Sequence, residues 1–326
     1  MKPRIKKFLF TNGPLLATIC IFILVYILGG QLYPAMQKPQ VFFNLFINNG
    51  SLLIIAIGMT MVVLMGGIDL SVSGMIALTS VASASLLLLD MNPVLVMALM
   101  LLMGILIGLV QGFIIHYLKV EAFVVTLMGL FFTRGMAYVI NKSSVTIKNE
   151  FYKYLALTKI HLPIFEGTFI YITTLVAILL LIVVFIITRY TNFGRRIYAI
   201  GNNEQSALLM GMPVARTKLM VYSISGFCSA LAGIVFSISL LSGFGGYARS
   251  MEMDAIAAVV IGGTALTGGK GNVIGTLFGV MISGTIVTIL QFNGTLTSWW
   301  TRIAVGILTL IFIGIQSLFY IRKKQI

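Results

Sequence analysis

Charged residues are scarce in this chain: lysine, arginine, aspartate and glutamate make up 9% of its 326 residues. Soluble domains carry roughly 25% charged residues, so a water-soluble fold is excluded. The two cysteines lie inside apolar stretches, and the two histidines are isolated from each other and from further metal-ligand residues. Because cysteines and histidines are so few, a disulfide framework is excluded, and we predict no metal site.

Sequence motifs for chemistry are lacking as well. The glycines of Gly268–Gly271 do not have the spacing of a phosphate-binding loop, and no serine or threonine follows to complete one. The sequence contains no nucleophile elbow, no metal-ligand cluster and no paired carboxylates at catalytic spacing. We therefore predict that the chain is not an enzyme and has no cofactor, and that any ATP driving it is bound by a partner subunit.

Apolar residues make up 59% of the chain. Apolar runs of about 16 to 25 residues recur without the period-2 alternation of barrel strands, which predicts membrane-spanning helices. We predict an all-α polytopic bundle of about ten spans that forms a single transmembrane domain over residues 1–326. The predicted segments begin near Gly13, Gly50, Ser73, Pro93, Ala122, Thr168, Ala215, Met253, Asn272 and Ser298.

The net charge of +14 comes from short basic groups at the ends of apolar segments, not from a continuous basic domain. We interpret these groups as topology signals and predict no nucleic-acid partner. Basic groups at residues 2–7 and 322–324 flank the first and last spans, which predicts that both termini are cytoplasmic. The lysines of the loop 141–167 do not fit this rule, because ten crossings place that loop outside.

Two apolar segments are unusually short and end at similar glycine breaks. Val62–Ser71 has the sequence VVLMGGIDLS, and Ala258–Thr267 has the sequence AVVIGGTALT. This similarity favours an internal duplication, with chance resemblance as the alternative. Short, glycine-interrupted segments at matching positions indicate a substrate path. The predicted pathway residues are Gly66, Gly67, Asp69, Ser71, Gly262, Gly263 and Thr264.

Two charged residues lie at predicted membrane depth, and each has more than one possible role. Asp69 is either a functional carboxylate on the pathway or a cap for the next helix. Arg134 lies about two thirds of the way along its predicted span. It either lines a polar path, forms a structural ion pair or extends its charged end towards the membrane surface.

The segment 189–218 is long for a connection between spans, and we predict that it is cytoplasmic. A short helix is predicted around Glu204–Met210, with a break at Gly211. Such a helix, lying across the membrane face, offers a surface on which a subunit that drives transport can exert force. The alternative is a solvated connector.

Four segments together resemble the ribose-type sugar permeases of bacterial ATP-binding-cassette (ABC) importers, and the resemblance covers nearly the whole chain. These segments are Ile57–Ser71, Phe123–Gly135, Phe193–Met212 and Asp254–Gly279. Within that family, the stretch Phe292–Ile307 is most similar to the second permease of galactofuranose importers.

The resemblance implies a protein of the bacterial inner membrane that works with several partners. These are an ATPase subunit, a second and non-identical permease, a periplasmic or lipid-anchored sugar-binding protein, and membrane lipid. It further implies that ATPase coupling involves Glu204, Ala207, Gly211 and Met212. Two other transporters are the alternatives: a branched-chain amino acid ABC permease, and a proton-coupled secondary transporter that uses Asp69 as its carrier group.

Overall fold

The structure is a computed structural model that describes residues 3–163, 165, 167–294, 300, 303–307, 309–311 and 314, with side chains from residue 13 onward. Helices dominate these residues, which confirms the predicted all-α membrane fold. In chain order the helices are α1 (Pro3–Leu32), α2 (Pro39–Asn48), α3 (Gly50–Leu64), α4 (Val72–Leu88), α5 (Pro93–Tyr117), α6 (Ala122–Ile140), α7 (Glu150–Leu157), α8 (Ile172–Tyr190), α9 (Asn192–Asn202), α10 (Glu204–Leu209), α11 (Val214–Leu240), α12 (Met251–Ile261) and α13 (Val273–Asn293).

Six of these helices are long and apolar enough to cross a membrane: the Gly13–Leu32 part of α1, then α5, α6, α8, α11 and α13. The helices α2 and α3 are bent by 57° at the break between them and would together make a seventh span. By themselves α3, α4 and α12 have 15, 17 and 11 residues. The start of the last predicted segment, near Ser298, lies outside the described residues. The count of ten spans stays a prediction.

Four short strands were missed by the sequence analysis. They are β1 (Val145–Thr146), β2 (Lys159–His161), β3 (Phe169–Tyr171) and β4 (Ser242–Gly243). The pairs β1–β4 and β2–β3 are antiparallel. The pairing of β1 with β4 joins the loop after α6 to the loop after α11, at what we term the β1 end of the bundle. The opposite end, where α9 and α10 lie, is the α9 end.

The helix α3 forms the centre of the bundle, and all fifteen of its residues are buried. An apolar helix with no polar face is typical of a fully enclosed position. It packs against α8, α11, α12 and α13. These neighbours cover it on every side, so α3 has no surface that faces lipid.

Glycines bring α5 and α11 into close contact. A Cβ atom on Gly104 would collide with the backbone of Gly226, and one on Gly108 would collide with the carbonyl oxygen of Tyr222. Small residues of this kind let two helix backbones approach each other closely. This seam fixes the position of α11, which carries one partner of the buried acid described below.

Candidate functional site

The first glycine break lies between α3 and α4. The N–H of Gly66 donates to the carbonyl of Val63 at 2.9 Å, and the N–H of Gly67 donates to that of Val62 at 3.0 Å. Gly66 has φ +86°, so this is the Schellman motif that glycine permits at a helix end. The predicted break is therefore real, and α3 ends where its glycines begin.

Asp69 follows this break and is 1% exposed. Its Oδ1 accepts from the backbone N–H of Ser71 at 2.9 Å and from the Ser71 hydroxyl at 2.6 Å. Its Oδ2 accepts from the hydroxyl of Ser225 on α11 at 2.6 Å. The carboxylate thus closes an Asx turn directly before α4 and ties that turn to α11. This is a structural role, but Asp69 makes no capping bond to the first turn of α4, so the capping interpretation stays a prediction. Its role on the pathway stays a prediction.

The second break follows α12 and also contains a Schellman motif. The N–H of Gly263 donates to the carbonyl of Val260 at 2.9 Å, and the N–H of Thr264 donates to that of Val259 at 3.2 Å. Here the left-handed residue is Gly263, with φ +88°. The helix α12 ends at Ile261, directly before Gly262.

Gly262 and Thr264 occupy tight, buried positions in this second break. A Cβ atom on Gly262 would lie 2.5 Å from the backbone carbon of Gly275 on α13. Thr264 is fully buried, and in the described part of the chain its hydroxyl has no hydrogen-bond partner. The hydroxyl of Thr18 on α1 donates to the carbonyl of Ile261 at 2.8 Å. The second break is thus enclosed by α1 and α13.

The two breaks, 196 positions apart in the aligned sequence pattern, meet in space. The N–H of Gly269 donates to the carbonyl of Leu64 at 2.8 Å. Gly268, with φ +83°, is so close that an added Cβ would lie 2.9 Å from the Cα of Gly66. We name this meeting of residues 64–67 and 267–271 the break junction.

The helix α9 lies directly on the break junction. A Cβ on Gly201 would collide with the carbonyl oxygen of Leu64 and lie 2.6 Å from the nitrogen of Gly269. The Tyr198 hydroxyl donates to the carbonyl of Gly271 at 3.0 Å. Burial raises the pKa of Tyr198, which keeps this hydroxyl a donor. The helix α9 thus contacts both breaks, through the close approach of Gly201 and the side chain of Tyr198.

The coupling residues predicted from sequence lie on α10 and the turn after it, and α9 was not predicted. The pattern RRIYAIGNN does carry a detectable signal, since Ile197 and Ile200 fall on one helix face and both are buried. That signal was overlooked because the whole segment was interpreted as a connection between spans.

The predicted short helix is confirmed as α10. The four predicted coupling residues in this segment have different surroundings. Glu204 forms a salt bridge of 2.7 Å with Lys218 at the start of α11. Ala207 is fully buried, and Gly211 has the left-handed φ of +73° that ends the helix. Met212 is partly buried and packs against the core.

The tip of α10 exposes apolar side chains instead. Leu208, Leu209 and Met210 are 51%, 88% and 64% exposed. Apolar side chains presented together at the α9 end mark an interaction surface. Residues 208–210 form an exposed apolar patch beside the exposed residues 202–206 and 211, so several parts of the segment can contact another protein.

Comparison with known proteins identifies the family of this chain. A family model described as "Branched-chain amino acid transport system / permease component" matches residues 41–315. The chain belongs to this family. Its members are transport permeases, so the chain is not an enzyme. No solved structure matches this permease.

Individual relatives show which members of the family this permease resembles. It is 42% identical to the inner membrane ABC transporter permease protein YjfF of Escherichia coli, over 94% of this chain and 92% of the relative. It is 35% identical to the fructose import permease protein FruG of Bifidobacterium longum, over 93% and 90%. It is 36% identical to the ribose import permease protein RbsC of Bacillus subtilis, over 92% and 90%. The resemblance to sugar permeases of ABC importers is confirmed.

Proposed function

We propose that this permease carries a monosaccharide across the bacterial inner membrane as one subunit of an ABC importer. Relatives named as ribose and fructose import permeases support a monosaccharide as the cargo. Galactofuranose is the first candidate, because the stretch Phe292–Ile307 is similar to the second permease of galactofuranose importers.

The proposed importer contains several subunits. ATP is bound and hydrolysed by a separate ATPase on the cytoplasmic face, since the permease sequence has no phosphate-binding loop. A second, non-identical permease completes the pathway, and a periplasmic or lipid-anchored binding protein delivers the sugar. The exposed apolar tip at residues 208–210 is the proposed contact with the ATPase.

The proposed topology has ten crossings with both termini in the cytoplasm. The α9 end is then cytoplasmic, which agrees with the basic residues Arg189, Arg195 and Arg196 in its segment. At 1.5 Å per residue, α3 and α12 cover about 22 and 17 Å of a hydrocarbon core about 30 Å thick. The bend before α3 and the loop before α12 would supply the missing length of each crossing.

The contact of α9 with both glycine breaks is the observation that carries the proposed mechanism. ATP binding in the partner displaces α10, which is linked to α11 by Glu204 and Lys218. The displacement passes through Gly201 to the carbonyl of Leu64 and the N–H of Gly269. Both broken helices then shift together, and the pathway opens alternately to the two sides. Sequence-predicted pathway residues at these breaks would move with it.

Purification of the tagged chain in mild detergent, followed by mass spectrometry of the proteins that accompany it, tests this function. We expect an ATP-binding subunit and a second permease. The same complex in proteoliposomes should take up a labelled monosaccharide only when ATP is supplied. Transport by this chain alone, with no ATPase in the preparation, would overturn the proposal.

The family description itself favours a second candidate, a branched-chain amino acid as cargo. Competition separates the two: excess unlabelled D-galactose, D-ribose or D-fructose should reduce sugar uptake, and excess leucine should not. Inhibition by leucine, together with ATP-dependent uptake of labelled leucine, would favour the amino acid.

Asp69 is the observation behind a third candidate, proton-coupled transport, because it is a buried acid beside a helix break. An uncoupler added while ATP is held constant distinguishes the two energy sources. We expect uptake to continue, since Asp69 is engaged by Ser71 and Ser225 as a structural group.

A further inference from the structure

The loop 241–250 between α11 and α12 is unusual in its backbone. Leu241, Ala248 and Ser250 have positive φ angles of 48°, 54° and 66°. They are three of the five non-glycine residues with positive φ in the described part of the chain. Each such residue costs about 1–2 kcal/mol, and strain of this kind concentrates at functional sites. The loop thus has strained backbone of the kind found at functional sites.

This loop reaches Arg134 deep along α6. Arg134 lies twelve positions after Ala122, about 18 Å along the helix at 1.5 Å per residue. Its Nη1 donates to the carbonyl oxygens of Gly245 at 3.4 Å and Tyr247 at 3.3 Å. Irregular backbone at membrane depth occurs only inside protein or beside a water-filled cavity. The loop and Arg134 thus form a polar region within the bundle.

The same guanidinium reaches the first turn of α4, directly after the first break. Its Nη2 donates to the hydroxyl of Ser73, at the start of α4, at 3.3 Å. All three of these hydrogen bonds are longer than the usual 2.9–3.0 Å for an N–H donor, so each is weak. A guanidinium with five N–H groups, held only by weak bonds, can exchange them for a ligand's oxygen atoms at small cost.

Glu252, the second residue of α12, is a further charged group directly after this loop. Its side chain is 8% exposed, and among the described residues its Oε2 has no hydrogen-bond partner and the residue forms no salt bridge. Coulombic interactions connect Arg134 with Glu252 and with Arg249. A buried carboxylate oxygen without a donor is costly, so a donor from outside the chain is expected there.

Aromatic rings lie beside these polar groups. The ring of Phe244 is in edge contact with Tyr138 and Tyr247, with centroids 6.2 and 5.5 Å apart. The Tyr138 hydroxyl accepts from Arg249 at 3.0 Å. Apolar ring faces beside a few convergent polar groups are typical of small-molecule sites. Sugars suit it in particular, because their C–H faces pack on rings and their hydroxyls both donate and accept.

We propose that Glu252, Arg134 and Ser73, with Phe244 beside them, form a low-affinity subsite for the hydroxyl groups of the transported sugar. This inference rests on the proposed function, a sugar importer. Glu252 accepts from one sugar hydroxyl through Oε2, and Arg134 donates to another sugar oxygen. The three polar residues come from α4, α6 and α12, so movement of the broken helices changes the site and releases the sugar.

The test uses the whole importer, with both permeases, the ATPase and the binding protein, in proteoliposomes. Uptake is measured with whichever labelled sugar, D-galactose, D-ribose or D-fructose, the unmodified importer carries, and ATP hydrolysis is measured in parallel. Glu252→Gln should lower the amount of sugar moved per ATP about tenfold or more, because a charged acceptor is lost. Arg134→Lys should lower it as well, while ATP hydrolysis and subunit composition stay unchanged.

Matched variants separate this subsite from a structural role. Glu150→Gln changes an exposed acid outside the bundle and should leave the ratio of sugar to ATP unchanged. Should Glu252→Gln fail to assemble, Ser73→Ala removes a single hydroxyl and should lower the ratio a few-fold. An unchanged ratio in all variants that assemble overturns the subsite. An unmodified importer that hydrolyses ATP but carries none of the sugars instead overturns the proposed function.

Discussion

The two glycine breaks end their helices in the same way but are held in place differently. Both use a Schellman motif with a left-handed glycine, Gly66 in the first and Gly263 in the second. The first break is then fixed by side chains, because Asp69 joins Ser71 and Ser225. The second contains no acid in its turn and is fixed by close backbone contacts with α1, α9 and α13.

This difference assigns the breaks separate tasks. A buried carboxylate that accepts several hydrogen bonds makes the first break a rigid support for α4. The second break has close backbone contacts and hydroxyl-to-carbonyl hydrogen bonds from Thr18 and Tyr198, but no charged anchor of its own. We therefore expect its position to depend more on its neighbours, α9 among them. The two breaks thus share the way in which a helix ends and differ in how the next residues are anchored.

The largest expected effect comes from separating α9 from both breaks at once. Gly201→Ala places a methyl group against the carbonyl of Leu64 and the nitrogen of Gly269. We expect ATP-driven uptake in proteoliposomes to fall by about 5- to 150-fold, the range of one lost coupling. Gly30→Ala is the matched control, because its Cβ would meet only Gln37, at 3.5 Å. Equal uptake in the two variants would show that α9 transmits nothing through this contact.

The next effect tests the support at the first break. Asp69→Ala leaves the buried hydroxyl of Ser225 and the N–H of Ser71 without an acceptor, at about 1–3 kcal/mol for each group. We expect a lower unfolding temperature of the purified permease in detergent. Asp69→Asn keeps an oxygen acceptor and should cost less. If Asp69→Asn keeps the unfolding temperature of the unmodified permease but abolishes uptake, the carboxylate acts in transport and not only as a structural support.

A smaller effect compares the two left-handed glycines directly. Gly66→Ala should cost about 1–2 kcal/mol, the penalty of a left-handed alanine, because the nearest atom to its Cβ is 3.7 Å away. Gly263→Ala carries the same penalty, and its Cβ also lies 2.9 Å from that of Pro14 on α1. Thermal unfolding should therefore rank Gly263→Ala as the less stable variant. The reverse order would contradict the tighter packing of the second break.

The smallest effect concerns the link between α10 and α11. Glu204→Gln removes the partly exposed salt bridge to Lys218, which we expect to be worth at most about 1 kcal/mol. The unfolding temperature should fall slightly at low salt and match the unmodified permease in high salt, since ions screen this pair. A large and salt-independent loss would mean that the residue supports the helix in another way.

Local features of the fold could be predicted from the sequence. The start of α5 follows from Pro93 at its first position, and the end of α10 follows from Gly211. The glycine breaks also follow from sequence, although the second cap lies one position later in the aligned pattern than the first. That offset depends on how α12 packs on α13, which no local pattern records.

Long-range features could not be predicted. Strands as short as β1 and β4 have no periodicity to detect, and their pairing joins residues about a hundred positions apart. The break junction likewise depends on contacts between distant segments. Similar sequences indicated that the two breaks correspond, but not that Gly269 would donate to Leu64. Glu252 was missed as a site residue because nothing near it in sequence indicates its proximity to Arg134.

The enclosed position of α3 has a consequence for how the chain is made. Its covering helices α11, α12 and α13 begin at Val214, 164 residues after Gly50. At about 5–20 residues per second, the ribosome needs roughly 8–33 s to reach them. During that interval α3 is surrounded by lipid or by the insertion machinery, and its continuously apolar surface suits that temporary environment. The apolar surface that allows α3 to be buried in the folded protein thus also makes it stable in the bilayer before its covering helices are synthesised.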